Sequence, residues 1–263
     1  MIIEKIQQKI DISAYSSHFI QNSIKHRMFD LGIVEIVDYA SYFESSSSES
    51  DVFENLLKNS YSLFFRNRLT FETLGQVVLP VLMGDNREVD EIRIWSTACA
   101  GGHEPYSLAI AFEKFNRLSS YKLKYRIFAT DRDFQEIEHA IMGIYTATDI
   151  ENLTISETKE WFLFDGKNYK IKSELKKNIQ FEIFDLLDDS CICPRSSIFG
   201  TFDFIMCANV LIYYNAETQN RIVSNLKKCV SKHGFVLTGE TEREIFFNNN
   251  FIEVFPQSCI FKF

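Results

Sequence analysis

The chain of 263 residues is long enough for one well-packed domain with a small accessory module, and 46% hydrophobic with 24% charged residues excludes disorder as the default. A formal net charge of −8 argues against duplex nucleic acid or an anionic membrane as the main partner, because neutralising phosphates requires clustered Lys and Arg. The opening MIIEKIQQKIDISAYSS lacks the apolar core and cleavage site of a signal peptide, and no stretch supplies about 18 apolar residues in a row. A cytoplasmic protein without membrane insertion is therefore expected.

Residues 1 to about 60 read as helices only. Apolar residues recur at helical spacing through Ile2 to Ile10, Phe19 to Leu31 and Ile36 to Phe43, with Gly32 as a helix stop. Within QNSIKHRMFDLG, the basic residues Lys25, His26 and Arg27 interrupt the apolar pattern of Ile20, Ile24 and Met28 and form a local basic patch. The run ESSSSESD at Glu44 to Asp51 has nothing to bury and reads as a loop, with Asp51 capping the next helix, which carries Phe53, Leu56 and Leu57.

From Glu91 onward strands and helices alternate. EIRIW ends at a Gly pair, and Pro105 suits the first turn of the helix YSLAIAFEKF. YRIFATD is a second strand ending in Asp131, and DFQE at Asp133 to Glu136 resembles a capping box opening the next helix. A strand, turn, helix, strand unit makes the sheet begin parallel. Two alternating runs, WFLF and YKIK, are joined by DGKN and predict a small antiparallel insert over about residues 158–177. The main sheet resumes with IQFEIFDL and FDFIMCANVLIYY. A helix from about Glu217 to Val230, stopping near Gly234, precedes the strand FVLTGETE; FIEVF and SCIFKF close the sheet as a terminal hairpin. The six cysteines, Cys99, Cys191, Cys193, Cys207, Cys229 and Cys259, read as reduced thiols. Cys191 and Cys193 are too close for a tetrahedral finger, and no metal is expected.

The Gly pair after the first strand is the most informative feature. Such a turn lets backbone N–H groups and a helix N-terminus approach a nucleotide-like cofactor. ACAGGHEP, however, lacks G-x-G-x-x-G, Pro105 sits where a pyrophosphate would seek N–H donors, and Glu104 would repel a phosphate. A cofactor with positive charge and no phosphate removes these objections, and S-adenosylmethionine is one. Glu104 would hold its ammonium, Asp131 its ribose hydroxyls, and Asp185 would sit near its adenine amino group. Each acid also has a plainer reading: Glu104 as a helix N-terminal charge, Asp131 as half of a turn, Asp185 as a loop cap. All three fall at the carboxyl ends of successive predicted strands, where open α/β sheets bind ligands.

At this point the chain resembles the chemotaxis receptor methyltransferases (CheR type), which methylate receptor glutamates with S-adenosylmethionine. ISAYSSHFIQNSIKHRMFDLGI resembles the family's N-terminal helices, FFRN its FFRE element, and WSTACAGGHEPYSLAI its W-S-A-A-x-x-x-G-E-E-P-Y-S signature. ATDRD is similar to S-D-I-D, CANVLIYY to C-R-N-V-x-I-Y-F, and GETE to G-H-S-E. The resemblance implies an α/β fold, a Rossmann-like S-adenosylmethionine methyltransferase sheet with an N-terminal all-helical domain (1–60, receptor-facing). The methyltransferase domain would span 61–263, with the small antiparallel β-subdomain inserted.

The same resemblance places Arg66 and Tyr213 near the transferring methyl group as catalytic candidates. It implies cofactor contacts from Ser62, Arg66, Ala98, Gly102, Glu104, Asp131, Arg132, Asp185, Leu186, Ala208 and Asn209, and S-adenosylhomocysteine as product. Lys25, His26 and Arg27 would face the acidic cytoplasmic helices of methyl-accepting chemotaxis receptors, the protein acting as a monomer. In some members the inserted hairpin adds a receptor-tail peptide as a strand to its edge. His103 replaces the first Glu of the signature, Ala208 an Arg, Ser62 a Thr, and Asp185 an Asn. Arg66 as a surface ion pair and Tyr213 as a core aromatic are the plainer alternatives. The rival functions are a cofactor-binding regulator that transfers nothing and a methyltransferase acting on another protein or a small molecule.

Overall fold

The computed structural model describes residues 2–58, 61–84, 91–120, 122–188, 190–198 and 201–263; the expected domain boundary at residue 60 lies outside them. The chain forms two compact units: Met1–Asn59 together with Val210–Arg221, and Ser60–Asn209 together with Ile222–Phe263. The segment Val210–Arg221 falls inside the span 61–263 and groups with the helices. The reason is a set of long-range hydrogen bonds: Ser16 N–H donates to the Tyr213 carbonyl at 2.9 Å, Asn215 N–H to the Ala14 carbonyl at 3.0 Å, and the Asn215 side-chain amide to the Ser13 carbonyl at 2.7 Å.

The first unit contains α1 (Ile2–Gln7), α2 (Ser17–Leu31), α3 (Ile36–Ser45) and α4 (Glu49–Leu56). Their apolar faces meet in a core of Ile6, Ile20, Ile24, Tyr39, Phe43 and Phe53. Helix α2 ends at Gly32 in the left-handed region (φ 66°), as its sequence predicts, and is capped at its start by the Ser16 hydroxyl, which accepts from Phe19 N–H, a cap the sequence reading does not include. Asp51 does not cap α4. The helix starts three residues earlier, after Ser48, so Asp51 lies in its first turn beside Glu49.

Glu49 is 1% exposed and is held by a bidentate pair with Arg27, at 2.8 and 2.9 Å, and by the Tyr39 hydroxyl at 3.1 Å. These bonds join α2, α3 and α4 through one buried carboxylate.

In the second unit, α5 (Arg68–Thr73) runs through a π-helical turn (Leu74–Val78) into α6 (Leu79–Gly84). Then follow β1 (Ile92–Ser96), α7 (His103–Leu118), β2 (Tyr125–Asp131), α8 (Phe134–Met142), β3 (Ile144–Tyr145), α9 (Ile155–Trp161), β4 (Phe162–Phe164), β5 (Tyr169–Ile171), α10 (Ser173–Lys176) and β6 (Ile179–Ile183). The chain closes with β7 (Phe202–Met206), then a 3₁₀ turn (Leu211–Tyr213) and the start of α11 (Ala216–Cys229), which group with the first unit, and then β8 (Val230–Leu237), α12 (Arg243–Asn248), β9 (Ile252–Glu253) and β10 (Ile260–Lys262).

The main sheet has the order β6-β2-β1-β7-β8-β10-β9, parallel from β6 to β8, with β10 antiparallel to both its neighbours. This is the expected Rossmann-like sheet. Helices cover both faces of such a sheet, so the strands read as nearly continuous apolar runs; β7 is buried at every position. Between β1 and β7 the order of winding reverses, and a crevice outside the carboxyl ends of the strands is the expected ligand position. The antiparallel insert is present, but with three strands in the order β3-β5-β4; its first strand precedes the expected span.

Two elements differ from the sequence reading. The run FDFIMCANVLIYY is one apolar stretch, yet β7 stops at Met206, because Asn209 adopts φ 58° and its N–H goes to the Glu242 carboxylate at 2.8 Å, not to a neighbouring strand. Gly234 does not end a helix: α11 passes directly into β8 at Val230. A Cβ at Gly234 would lie 2.6 Å from the Val230 side chain and 3.0 Å from the Phe202 and Asp203 carbonyls, beside a register shift in the β7–β8 pairing.

Replacing Arg27 by Met should leave the Glu49 carboxylate buried without its cation and lower stability by about 3 kcal/mol. Adding Glu49→Leu should recover part of that loss. Urea unfolding followed by circular dichroism checks both, and an unaffected Arg27→Met midpoint would assign the pair no structural role.

Candidate cofactor and transfer site

The turn after β1 is built by left-handed residues: Ala98 (φ 46°), Ala100 (φ 44°) and Gly102 (φ 87°). For alanine this region costs about 1–3 kcal/mol, so the surroundings must enforce it. They do so through hydrogen bonds. Cys99 N–H donates to the Thr130 carbonyl and Ala100 N–H to Asp131 Oδ2, both at 2.9 Å, while Asp133 N–H donates to Asp131 Oδ1 at 2.9 Å.

Asp131, the last residue of β2, is 8% exposed and splints the ends of β1 and β2. Burial raises its pKa; the two N–H bonds and the Arg132 guanidinium oppose that rise. Each carboxylate oxygen keeps acceptor capacity beyond these bonds, so the turn role and the capacity to accept ribose hydroxyls coexist.

The Gly pair has a packing role that the sequence alone does not display. A Cβ at Gly101 would meet His139 Nδ1 at 2.9 Å, and one at Gly102 the Ala140 Cβ at 2.8 Å. The missing side chains let α8 close against the turn. His103, where the family signature has Glu, is buried against Phe64 and Tyr145, with ring centroids 5.0 and 4.8 Å away. Burial lowers its pKa to about 4, so it stands there as a neutral imidazole.

Glu104 follows in the first turn of α7. It is 5% exposed, and its Oε2 is buried with no hydrogen-bond partner among the described residues. Burial pushes its carboxyl up to about 8; Arg66 draws it down, and Glu242 and Asp131 push it further up. An orphaned buried carboxyl is costly unless a ligand completes it. It fits a cationic group and disfavours a phosphate, so this residue set suits S-adenosylmethionine.

The other strand ends are organised by carboxylates too. Asp185 accepts the Leu187 N–H at 2.9 Å on Oδ1, which is the loop-cap role, with Leu186 between them. Glu242 is wholly buried, and its Oε2 accepts from Asn209 N–H, Gly239 N–H and the Thr238 hydroxyl at 2.8–2.9 Å. It therefore sets the β7 end, where Ala208 is buried and Asn209 partly exposed. Sequence reasoning did not single out Glu242; its signal was the last letter of GETE.

On the loop before α5, Arg66 is exposed, with its Nη1 3.4 Å from the Tyr61 carbonyl and its guanidinium 5.6 Å from the Tyr61 ring. The Ser62 hydroxyl is buried without a partner among the described residues. Thus Ser62, Arg66, Ala98, Gly102, Glu104, Asp131, Arg132, Asp185, Leu186, Ala208 and Asn209 all belong to the second unit. Lys25, His26, Arg27 and Tyr213 belong to the first. There Lys25 and His26 are exposed, Arg27 is committed to Glu49, and the Tyr213 ring packs on Phe19 with centroids 4.8 Å apart.

The profile of the family described as CheR methyltransferase, SAM binding domain, matches residues 60–259. The chain is 30% identical over 234 residues to a chemotaxis protein methyltransferase of Listeria innocua, covering 89% of this chain and 84% of that protein. It is 27% identical over 239 residues to one of Escherichia coli, covering 89% and 79%. Among solved structures, magnesium protoporphyrin IX methyltransferase from Synechocystis with bound S-adenosylhomocysteine is 15% identical, with a TM-score of 0.32 over 78% of this chain and 71% of that one. Sheet, site and family match define a Rossmann-like S-adenosylmethionine-dependent methyltransferase. The chain belongs to the CheR methyltransferase family.

No described helix is long and apolar enough to cross a membrane.

Because folding raises the Glu104 pKa above its unfolded value, the fold favours the protonated acid. Its contribution is intact below the unfolded pKa and is lost as pH rises through about 8. Stability of the cofactor-free protein in urea should therefore decline from about pH 5 to pH 9, and Glu104→Gln should flatten the decline. An identical pH profile for variant and parent would place the titration on another group.

Proposed function

We propose that the protein transfers the methyl group of S-adenosylmethionine to glutamate side chains of chemotaxis receptors, giving glutamyl methyl esters. The observation that carries this reading is the Glu104 Oε2 at the head of α7, buried and without a partner among the described residues, which a cationic cofactor without phosphate would complete. The names of the relatives, chemotaxis protein methyltransferases, support the receptor as substrate.

When bound, the cofactor supplies an electrophilic methyl group on a positively charged sulfur. Glu104 holds the ammonium end, Asp131 accepts the ribose hydroxyls, and the Asp185–Leu186 turn with Asn209 borders the adenine. Ser62, Ala98, Gly102, Arg132 and Ala208 complete the lining.

A substrate glutamate has an unperturbed pKa near 4.3 and is already ionised at neutral pH, so no general base is needed. Positioning is the main task. Arg66, exposed and with most of its donors unengaged, holds the substrate carboxylate by charge-assisted hydrogen bonds, and the Tyr213 hydroxyl aims the attacking oxygen. The Arg66 contact must be modest, since carboxylate charge is consumed on the way to the transition state. The helical unit faces the acidic receptor helix through Lys25 and His26, with Arg27 contributing what its pair with Glu49 leaves available.

Incubation with methyl-labelled cofactor and receptor-rich membranes should label a receptor-sized band, and mild alkali should release the label as methanol. Cofactor binding without any base-labile label would instead point to a regulator that transfers nothing or to a different substrate. Arg66→Ala should lower transfer at least about a hundredfold while changing cofactor affinity by less than about threefold. Asp131→Ala should weaken cofactor binding at least about tenfold. Asp131→Asn keeps one acceptor and separates loss of the ribose contact from collapse of the turn.

A further inference from the structure

The second unit holds a cavity of about 330 Å³ whose lining contains none of the cofactor candidates. It lies along α7 from Ala111 to Leu118, about two to four helical turns beyond Glu104. Three phenyl rings wall it: Phe65, Phe71 and Phe115, the first two packed edge to face at 4.7 Å.

Two charges at its edge are open. Arg68 and Glu72 stand one turn apart on α5, a spacing at which opposite charges commonly pair, yet no ion pair joins them among the described residues. Arg68 Nη2 donates to the Asn152 carbonyl at 3.0 Å, leaving further guanidinium donors unengaged. The Glu72 carboxylate accepts no hydrogen bond among the described residues. The other ionic residues of the lining, Lys114 and Glu157, satisfy each other at 2.8 Å, and Glu157 also closes the capping box of α9 with Thr154. Among the described residues of the lining, Arg68 and Glu72 are thus the cation and the anion without an ionic partner, beside an aromatic wall.

Its remaining side is the π-helical turn Leu74–Val78, a geometry that recurs at functional sites. Gly75 lines the cavity there, and a Cβ at that position would meet nothing within 4 Å.

We propose that this cavity binds a free apolar α-amino acid, with its side chain among Phe65, Phe71 and Phe115, its carboxylate on Arg68 and its ammonium on Glu72. The volume is at the small end of ligand sites, about 300–1,000 Å³. Opposed charges select a zwitterion, because a simple carboxylate would face Glu72 and a simple amine would face Arg68.

Occupancy bears on the transfer site through one residue. Phe65 has φ 46° and its N–H is pinned to the Ser107 hydroxyl on α7 at 3.0 Å, so a ligand against its ring steadies the backbone that carries Arg66. Only this regulatory consequence rests on the proposed function; the binding does not.

Calorimetric titration of the full chain, without cofactor or receptor, tests the site with L-phenylalanine, L-leucine, 3-phenylpropionate and phenethylamine. The amino acids should bind with Kd below about 1 mM, and either single-charge analogue at least about tenfold more weakly. Arg68→Met and Glu72→Gln should each weaken L-phenylalanine at least about tenfold. Gly75→Leu should fill the cavity and abolish binding, with the unfolding midpoint and cofactor affinity retained. No heat from either amino acid up to about 10 mM, or binding that survives Gly75→Leu, would overturn the site. Phenylpropionate binding as tightly as L-phenylalanine would overturn the zwitterion assignment. Amino-acid binding in a preparation that transfers no methyl groups would remove the proposed reaction and leave the site standing.

Discussion

Glu242 lies wholly inside the second unit, and one of its oxygens takes three donors: the Asn209 N–H, the Gly239 N–H and the Thr238 hydroxyl. Asp131 does the same for the neighbouring strands, taking the N–H groups of Ala100 and Asp133. Backbone donors at the carboxyl edge of a parallel sheet have no further strand to bond, and leaving them buried and unpaired is costly. Buried carboxylates supply the acceptors, and in doing so hold the left-handed residues Ala100 and Asn209 in place. The crevice is preorganised because its rim is hydrogen-bonded.

Glu104 is the exception to that pattern. Its neighbours are acids, its Oε2 has no partner among the described residues, and the Arg66 charge only partly offsets the burial and the carboxylates around it. Among the described residues, the carboxyl of that rim left with an oxygen buried and unpartnered is Glu104; such an acid favours a cationic head over a phosphate. The same electrostatics links Arg66 to the cofactor region, although its side chain is directed at the Tyr61 carbonyl and ring.

In the helical unit a buried acid again sets the architecture. Glu49 gathers Arg27 and Tyr39, so one third of the basic patch read from the sequence is structural, while Lys25 and His26 remain exposed. Tyr213 belongs to this unit because the backbone around it bonds to Ala14 and Ser16 and the Asn215 side chain to Ser13.

Local pattern alone determined much of this protein. Tyr125–Asp131 is legible as a strand to the residue, Gly32 as a helix stop, and the acids Glu104, Asp131 and Asp185 as strand-end groups, because periodicity and turn chemistry act over a few residues. The family motifs were legible for the same reason: each is a short, contiguous run. What tertiary structure decided depends on partners far apart in the chain. β7 ends at Met206 because a carboxylate 33 residues beyond Asn209 captures its N–H. The glycines at 101 and 102 are needed because α8 packs there. Gly234 serves a register shift against β7, and Arg27 is taken up by Glu49, 22 residues on. Sequence spacing specifies which groups can be neighbours along an element; only packing specifies which groups are left without a partner, and here that is what separates Glu104 from the other acids.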